Sequence, residues 1–535
     1  MSDQGDKRSD RNGMGDPDEA TIRGHVSGSR RSVLRGAVVA LAGLGIGTTA
    51  SASSHTGYSD EYRHVVNIVE AGADNTGSES ITSTLEEVRA DDTLVYFPSG
   101  EYYMDREFRF TNFENFGLVG DDATLVPADY HTYGTTNTRL FRLGTADRPG
   151  GRVRFENFDV DQRAPDTGIR VIDTYASERL DVRDVRIYGE HDSGTTGPGH
   201  FNLTRSSATG MVERFRAPDG GAWVDNTPHS GHRWRGPIGI EANQNRGTLT
   251  FRRCWLGPFP DNGLYAAGST GKIVVSGGVY RNSNGANIRV GGPNSEIRYP
   301  TVEITDTRNL DSSQRAIRLE HGDGMLVRGA WIRITSPQPS SRAISVMGSA
   351  SNTTIQKGLI EMSGDKINHG IVVSQNAGKT LIEGTEIRHN TAGGFPVWIR
   401  DSDSTDRVHC RGVEITGIAG ADSGMRDAIR CERNNCRFSS CTLDHHGESG
   451  VRRNGLVVTK DNNTTYRSEI RASHYPYIDM GSSNLLHYSD LESERGSEAV
   501  RLYSSADGPR LRYNRLVNGI NDGGASNVED FRNTY

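Results

Sequence analysis

Short stretches in which apolar and polar residues alternate recur along most of the chain from about residue 150 onward. This period of two is typical of a β-strand with one buried face. Each repeat unit of this pattern is called a phrase here. Between Gly263 and Gly455 the phrases mostly begin about 20 to 30 residues apart, a range typical of solenoids. Examples of the first strand in each phrase are ANIRVGG (286–292), AIRLEHG (316–322) and AISVMGS (343–349).

The strands are short, show no helical periodicity and are separated by turns rich in Gly, Asn and Asp. Each first strand is followed by a second strand that ends in a small residue and a further apolar pair, as in MLVRGAWIRI (325–334). A β-sandwich would need antiparallel hairpins with tight turns, and a propeller would repeat every 40 residues or more. The pattern therefore predicts an all-β parallel β-helix, in which each coil buries its aliphatic side chains against the neighbouring coils.

Composition agrees with a turn-rich chain and narrows the choice of partner. Only 34% of residues are hydrophobic, 64 are Gly, and the formal net charge is −7 with no basic block, so we expect no nucleic-acid partner. Arg greatly outnumbers Lys, which together with the acidic balance is typical of a high-salt or GC-rich source. The five cysteines lie in strand-like segments, where buried thiols are expected, although a Cys431–Cys436 or Cys410–Cys436 bridge is left open.

The first 52 residues are predicted to be a polar leader and signal peptide rather than part of the folded domain. The segment SRRSVLRGAVVALAGLGIGTTASA (29–52) has Arg30 and Arg31 before a short Gly/Ala-rich apolar run and small residues at its end. It resembles a twin-arginine (Tat) export signal of haloarchaeal type, with cleavage after about Ala52. This implies a secreted or cell-surface protein without stable membrane insertion after cleavage; an uncleaved anchor is the alternative.

The next segment carries a family resemblance. It contains Val-Asn-Ile (66–68), Gly-Ala-Asp (72–74), a short amphipathic helix with Ile81, Leu85 and Val88, and VYFPSGEY (95–102). This opening resembles the pectate-lyase-like superfamily of right-handed β-helix proteins, in which the helix caps the first coil. The resemblance implies a cap and first coils over 58–130, a parallel β-helix over 131–520 and a tail over 521–535. It leaves lyase, hydrolase, epimerase and non-catalytic functions open.

One interruption breaks the repeat, at about 191–236. It contains four histidines and two tryptophans, and the tryptophans argue against simple disorder: His191, His200, His229, His232, Trp223 and Trp234. We interpret it as a long loop insertion folded over one side of the helix; surface decoration is the alternative.

Stacking the first strands places equivalent outward residues about 4.8 Å apart. The predicted first column is Arg170, Gly239, Tyr265, Arg289, Arg318, Ser345, Val372, Trp398 and Arg430. The second column is Glu241, Ala267, Gly291, Glu320, Met347, Ser374, Arg400 and Glu432. Two adjacent guanidinium groups repel unless an anion lies between them. An open Arg289–Arg318 pair would therefore suit an acidic sugar chain, with a solvated arginine face as the alternative.

Other candidates surround that pair. Arg289, Arg318, Glu320 and His321 are the predicted catalytic residues, with an arginine as base by analogy with β-helix pectate lyases. Glu241, Asp261 and Asp323 could hold Ca²⁺ or neutralise an acid group. The predicted substrate-binding residues are Tyr265, Asn287, Trp398 and Arg400.

These residues predict an exported protein that cleaves a uronate-containing polysaccharide by β-elimination, with calcium as a candidate cofactor. A glycoside hydrolase that uses two of the carboxylates is the enzymatic alternative. A cell-surface β-helix that binds glycans without cleaving them is the non-enzymatic one.

Overall fold

The computed structural model describes residues 58, 60–133, 138–193, 196–228, 235–308, 310–335, 337–402, 405–420 and 424–535. They fall into two compact units, the N-terminal unit up to Lys272 and the C-terminal unit from Ile273 onward. The signal-like segment 1–52 lies outside the described residues, as do His229, His232 and Trp234 of the interruption.

The N-terminal unit consists of short parallel strands and two short helical segments. The α-helix is α1 (Thr82–Val88), and a 3₁₀ turn spans Val224–Asn226. Its strands are β1 (His64–Asn67), β2 (Thr76–Ser80), β3 (Thr93–Phe97), β4 (Gly100–Met104), β5 (Phe108–Phe110), β6 (Asn115–Pro127), β7 (Arg139–Leu143), β8 (Gly150–Asp161), β9 (Arg170–Tyr188), β10 (Gly199–Leu203), β11 (Thr209–Ala217), β12 (Ile240–Glu241), β13 (Thr248–Arg252), β14 (Trp255–Leu256) and β15 (Leu264–Ala266).

The C-terminal unit continues with a long series of strands. They are β16 (Lys272–Ser276), β17 (Val279–Arg281), β18 (Ile288–Val290), β19 (Glu296–Arg298), β20 (Thr301–Ile304), β21 (Arg315–Asp323), β22 (Leu326–Arg328), β23 (Trp331–Ile334), β24 (Arg342–Ser351), β25 (Thr353–Gln356), β26 (Leu359–Ile367), β27 (His369–Val373), β28 (Thr380–Glu383), β29 (Glu386–Gly393), β30 (Val397–Ile399), β31 (Val408–Arg411), β32 (Glu414–Ala419), β33 (Asp427–Cys431), β34 (Arg437–Ser439), β35 (Thr442–Gly447), β36 (Asn454–Val458), β37 (Thr464–Tyr466), β38 (Glu469–Ala472), β39 (Tyr477–Asp479), β40 (Leu485–His487), β41 (Asp490–Ser493), β42 (Val500–Tyr503), β43 (Arg510–Arg512), β44 (Arg515–Leu516), β45 (Ile520–Gly523) and β46 (Glu529–Phe531).

Every third strand of the C-terminal unit pairs in parallel, so that three sheets run through the coils. One sheet, named here the C-terminal front sheet, contains β18, β21, β24, β27, β30, β33, β36, β39, β42 and β45. In the N-terminal unit the corresponding pairing joins β5, β7, β9, β10, β12 and β15, named here the N-terminal front sheet. The predicted parallel β-helix is confirmed: the chain is an all-β parallel β-solenoid, consistent with the right-handed form.

The core of each coil is built from the aliphatic residues that the alternation predicts. Ile317, Ile344 and Ile371 stack in register on the C-terminal front sheet, and each is at most 2% exposed. The predicted amphipathic helix is α1, whose Leu85 is buried together with the preceding Ile81. No helix among the described residues is long and apolar enough to cross a membrane.

The interruption and the tail differ from their predictions. The segment 191–236 is not one long loop, because it contributes β10 and β11, both paired with β9. The tail 521–535 contains β46, which pairs with β43. In both segments the apolar alternation is too short to stand out, so the sequence pattern alone does not reveal their strands.

The five cysteines are buried and free, so neither bridge that the spacing left open is formed. Burial raises the pKa of Cys254 to about 12 and that of Cys441 to about 11. The thiols of Cys254 and Cys441 are therefore poor nucleophiles.

Candidate functional site

The Arg289–Arg318 pair of the C-terminal front sheet lies where the sequence predicts it. Arg289 of β18 pairs in register with Arg318 of β21, which pairs with Ser345 of β24. The column then continues through Val372, Trp398 and Arg430. Since parallel strands in register place like positions on the same side, the two guanidinium groups face the same way.

The pair is not open, which corrects the expectation. Glu320 accepts hydrogen bonds from Nε of Arg289 at 2.9 Å and from Nε of Arg318 at 2.7 Å. A third bond joins Nη2 of Arg318 to Glu320 Oε1 at 3.2 Å. The side chains of Arg289 and Arg318 are only 9% and 3% exposed. A carboxylate of the protein already occupies the place that a substrate anion would take.

The electrostatics of this cluster favour a fixed structural role. Burial by itself raises the pKa of Glu320, but the charges of Arg318 and Arg289 and the hydrogen bonds that they donate outweigh it. The pKa of Glu320 therefore lies below its usual range. A guanidinium group stays protonated in proteins, and a carboxylate held against it stabilises the charged form further. The geometry does not support an arginine of this pair as the base.

The neighbouring candidates of the C-terminal unit make local contacts. Asn287 is fully buried, and its Oδ1 accepts the backbone N–H of Ser283 at 2.7 Å, which corrects its assignment to substrate binding. His321 is half-buried in β21 and pairs with Ser349 of β24. Asp323 accepts hydrogen bonds from the hydroxyl of Ser351 and the amide of Asn352 at 2.6 and 2.5 Å.

Trp398 is half-buried in an aromatic cluster. Its indole N–H donates to Glu432 at 3.0 Å, and its ring lies 5.1 Å from that of His369 and 5.3 Å from that of Phe395. The guanidinium carbon of Arg400 lies 5.2 Å from the centre of the indole. Because these neighbours surround the ring, the structure shows Trp398 packed rather than presented as an open platform for a sugar.

The register of the N-terminal front sheet differs from the predicted columns. Glu241 pairs with Tyr265, whereas the sequence alignment of the phrases places Gly239 opposite Tyr265. Arg170 lies at the start of β9, opposite Arg139, and not in the predicted column with Tyr265. The mismatch arises because β12 has only two residues and begins late in its phrase, at Ile240.

With the true register, four chemically active residues line up across successive coils. Asp173 pairs with His200, His200 with Glu241, and Glu241 with Tyr265. These four residues are named here the His200 column. The side chain of Glu241 is 29% exposed and Tyr265 is half-buried, whereas Asp173 is only 2% exposed. The column combines an imidazole, a phenol and a reachable carboxylate on one sheet face.

A hydrogen-bond chain fixes the orientation of His200. Its Nδ1 lies 2.8 Å from Oδ1 of Asp173, and its Nε2 lies 2.7 Å from Nδ2 of Asn202. The backbone N–H of Gln244 donates to Oδ1 of Asn202 at 2.8 Å, so the amide group must present its N–H to the imidazole. This arrangement places the proton of a neutral His200 on Nδ1 and leaves the lone pair on Nε2.

Asp173 is kept ionised by its surroundings. Burial alone raises its pKa, but the hydrogen bond and charge of His200 and the charges of Arg170 and Arg139 outweigh burial and hold the pKa well below its usual range. Nε of Arg139 lies 2.9 Å from Asp173. Arg170 also reaches Glu241, with Nη2 3.5 Å from Oε2. A buried, ionised carboxylate of this kind stabilises an imidazolium that forms beside it.

The predicted calcium ligands do not fit a calcium site. Glu241 is paired with Arg170, and Asp261 accepts hydrogen bonds from the backbone N–H and the amide of Asn262. Asp323, in the other unit, accepts hydrogen bonds from Ser351 and Asn352. In the part of the chain that the structure describes, no three His, Cys, Asp or Glu side chains form a group that could hold a metal ion. Since Ca²⁺ takes about six to eight oxygen ligands at once, these separate carboxylates do not form a site for it.

Sequence reasoning missed Asp173 and did not single out His200 within the interruption. The signal for Asp173 is the TGIRVID phrase (167–173), whose last residue is the one that faces outward. The signal for His200 is the Gly-His-Phe-Asn-Leu stretch (199–203), which alternates apolar and polar residues but is too short to stand out.

Comparison with known proteins finds likeness in structure alone. The solved structures that match include the A-module of mannuronan C-5 epimerase AlgE6 from Azotobacter vinelandii, with 10% identity, 86% of this chain and 99% of that chain covered, and a TM-score of 0.31. The surface adhesin PfbA of Streptococcus pneumoniae matches with 9% identity, coverages of 88% and 99% and a TM-score of 0.28.

The catalytic unit of a GH87 alpha-1,3-glucanase from Streptomyces thermodiastaticus matches with 13% identity, coverages of 88% and 69% and a TM-score of 0.32. No protein-family model matches the chain, and no curated protein does. Identities and TM-scores this low carry no information about the activity of this chain.

Proposed function

We propose that this protein cleaves an anionic, uronate-containing polysaccharide by β-elimination, and that the reaction takes place at the His200 column. One observation carries the proposal: the imidazole of His200 stands between two carboxylates, Asp173 and Glu241, and the phenol of Tyr265 lies one coil beyond Glu241. A syn elimination uses a base and an acid on the same face of the sugar, the roles proposed for His200 and Tyr265.

In this proposal Nε2 of His200 takes the proton from the sugar carbon that carries the carboxylate. The electron pair left behind forms a carbon–carbon double bond, and the bond to the glycosidic oxygen breaks. The hydroxyl of Tyr265 gives its proton to that oxygen. Asp173 and Glu241 lie on either side of His200 in register and stabilise the imidazolium that forms. The substrate has to displace the amide of Asn202 from Nε2 first.

Hydrolysis fits this column less well. Glycosidases of the common type use two carboxyl groups that flank the scissile bond. Within the His200 column Asp173 is buried and bound to His200 and Arg139, so Glu241 is the one carboxylate there that a sugar chain could reach. A single accessible carboxylate next to an imidazole and a phenol favours elimination over hydrolysis.

The test is a panel of polygalacturonate, alginate and a neutral glucan, incubated with the mature chain at low and high salt. We expect an unsaturated product that absorbs in the near ultraviolet, from a uronate polymer only. His200→Ala and Tyr265→Phe should lower the rate by about 100-fold or more, the usual contribution of a general acid or base. His446→Ala, a histidine in the C-terminal unit, is the matched control and should leave the rate unchanged.

Two results would reject the proposal. Reducing ends without ultraviolet absorbance would indicate a hydrolase, and retention of glycan without any product would indicate a binding protein.

The leader at 29–52 resembles a Tat signal, so we also propose that the substrate lies outside the cell. Fractionation of cells that carry Arg30→Lys and Arg31→Lys together tests this.

A further inference from the structure

A second arginine pair lies on the N-terminal front sheet. Arg109 of β5 pairs in register with Arg142 of β7, and Arg142 pairs in turn with Asp173 of the His200 column. The preceding residues, Phe108 and Phe141, are fully buried and pack against each other with ring centres 6.1 Å apart. Since alternate residues of a strand point to opposite sides, both arginines lie on the outer face.

This pair has no protein anion between its members. No hydrogen bond and no ion pair joins either guanidinium group to another residue in the part of the chain that is described. Arg109 is exposed and Arg142 half-buried. Nε of Arg142 is inaccessible to solvent and has no acceptor. A buried donor without an acceptor is costly, and buried polar groups in native proteins are nearly always satisfied.

The backbone excludes a carboxylate at the position that closes the other pair. Glu320 lies two residues after Arg318; the residue two after Arg142 is Gly144. Gly144 has φ +79°, and a Cβ there would lie 2.3 Å from the carbonyl oxygen of Tyr175. The backbone of Tyr175 and Gly150 fills the space that a side chain would need, so the fold cannot place a carboxylate of its own at this point.

We propose that Arg109 and Arg142 bind a carboxylate of the acidic sugar chain, at a subsite next to the reacting sugar. A planar carboxylate matches the fork of a guanidinium group and relieves the repulsion between two of them. Arg142 is two coil spacings from His200, about 10 Å between backbones, on the side away from Tyr265, so the reacting bond between His200 and Tyr265 lies beyond its reach. The subsite thus holds a neighbouring sugar rather than the one that reacts. The inference rests on the proposed function for its choice of a uronate chain as ligand.

The test measures binding of a galacturonate trimer to the mature chain by isothermal titration calorimetry, with the methyl-esterified trimer as the uncharged ligand. We expect the acid to bind, the ester to bind at least about tenfold more weakly, and affinity to fall with salt. Arg142→Gln should weaken binding of the acid about tenfold and Arg109→Gln somewhat less, because Arg109 is more exposed. Arg246→Gln changes an exposed arginine of the same unit outside the column and should have no effect.

Equal binding of acid and ester would overturn the inference, as would unchanged affinity of the Arg109→Gln, Arg142→Gln double variant. The steady-state rate separates the two proposals. If the wild type makes the unsaturated product and the double variant has the same KM, the subsite is wrong and the proposed function stands. If the acid binds through the arginines but no unsaturated product forms, the subsite stands and the reaction is wrong. In an active enzyme we expect KM to rise about tenfold and kcat to change little, because the contact is remote from the reacting bond.

Discussion

The Arg109–Arg142 pair and the Arg289–Arg318 pair have the same local geometry, since each joins two parallel strands of a front sheet in register. They differ in one neighbour. Glu320 bridges the C-terminal pair, whereas Gly144 occupies the matching position beside the N-terminal pair. One pair is thus a buried, self-neutralised part of the structure, and the other keeps an unsatisfied guanidinium group. Adjacent arginines therefore indicate a binding site only when the protein supplies no anion of its own.

The largest expected effect is a loss of stability when the Glu320 carboxylate between Arg289 and Arg318 is removed. Glu320→Gln leaves two nearly buried guanidinium groups without a counter-charge and should lower the free energy of unfolding by about 3–5 kcal/mol. Denaturant unfolding followed by circular dichroism measures it. The Arg109→Gln, Arg142→Gln double variant is the control and should stay within about 0.5 kcal/mol of wild type. A loss of under about 1 kcal/mol for Glu320→Gln would show that the bridge is not structural.

A change of shape at constant charge separates the two pairs further. Arg318→Lys loses the fork that bonds both oxygens of Glu320 and should lower the free energy of unfolding by about 2 kcal/mol. Arg142→Lys makes no such bond in the protein and should leave stability unchanged. Thermal unfolding of both variants beside wild type decides this. Equal melting temperatures would contradict the difference drawn between the pairs.

The stability conferred by the bridge should depend on pH. The pKa of Glu320 lies below its ordinary value of 4.5, so its contribution is complete above that pH and is lost as the pH falls through the lower, folded value. The difference in unfolding free energy between wild type and Glu320→Gln should therefore be constant near neutral pH and shrink below about pH 4.5. Unfolding curves at several pH values test it. A difference that grew on acidification would have the wrong sign for this bridge.

A smaller effect, on ligand affinity, is expected when a carboxylate is introduced beside Arg109 and Arg142 by substitution. Thr111 lies two residues after Arg109, at the position that Gly291 has after Arg289. Thr111→Glu should lower the affinity for the galacturonate trimer about threefold, because an exposed ion pair is worth less than about 1 kcal/mol. Calorimetry measures it, and Thr111→Gln is the matched control. Tighter binding by Thr111→Glu would contradict an anion site here.

Removal of calcium should have the smallest effect. The carboxylates that the sequence offered as ligands are bonded to Arg170, Asn262, Ser351 and Asn352. We therefore expect the rate of product formation to be the same before and after dialysis against a chelator. Loss of activity that added Ca²⁺ restores would show that the protein recruits a metal through ligands other than these.

Much of the fold could be predicted from the alternation, and part of the site could not. The C-terminal phrases have similar lengths, so aligning them predicts the register of Arg289 with Arg318 and of Val372 with Trp398. In the N-terminal unit the turns vary in length and β12 has two residues, so the same alignment misplaces Glu241. A register error of two residues moves a side chain along its strand and changes every neighbour it is given.

The sequence by itself determined that this chain is a parallel β-solenoid, because a period of two, repeated at a spacing typical of solenoids, buries the aliphatic residues between stacked coils. It also determined which residues face outward on the C-terminal front sheet. Only the tertiary structure decided which of these are satisfied by one another. Asp173 and His200 are 27 residues apart and meet because β9 and β10 pair, and Glu320 reaches back to Arg289 across 31 residues. Such contacts depend on the lengths of irregular turns, which no local pattern encodes. These long-range contacts decide whether an arginine pair is neutralised by a carboxylate of the protein, as Arg289 and Arg318 are, or is not, as with Arg109 and Arg142.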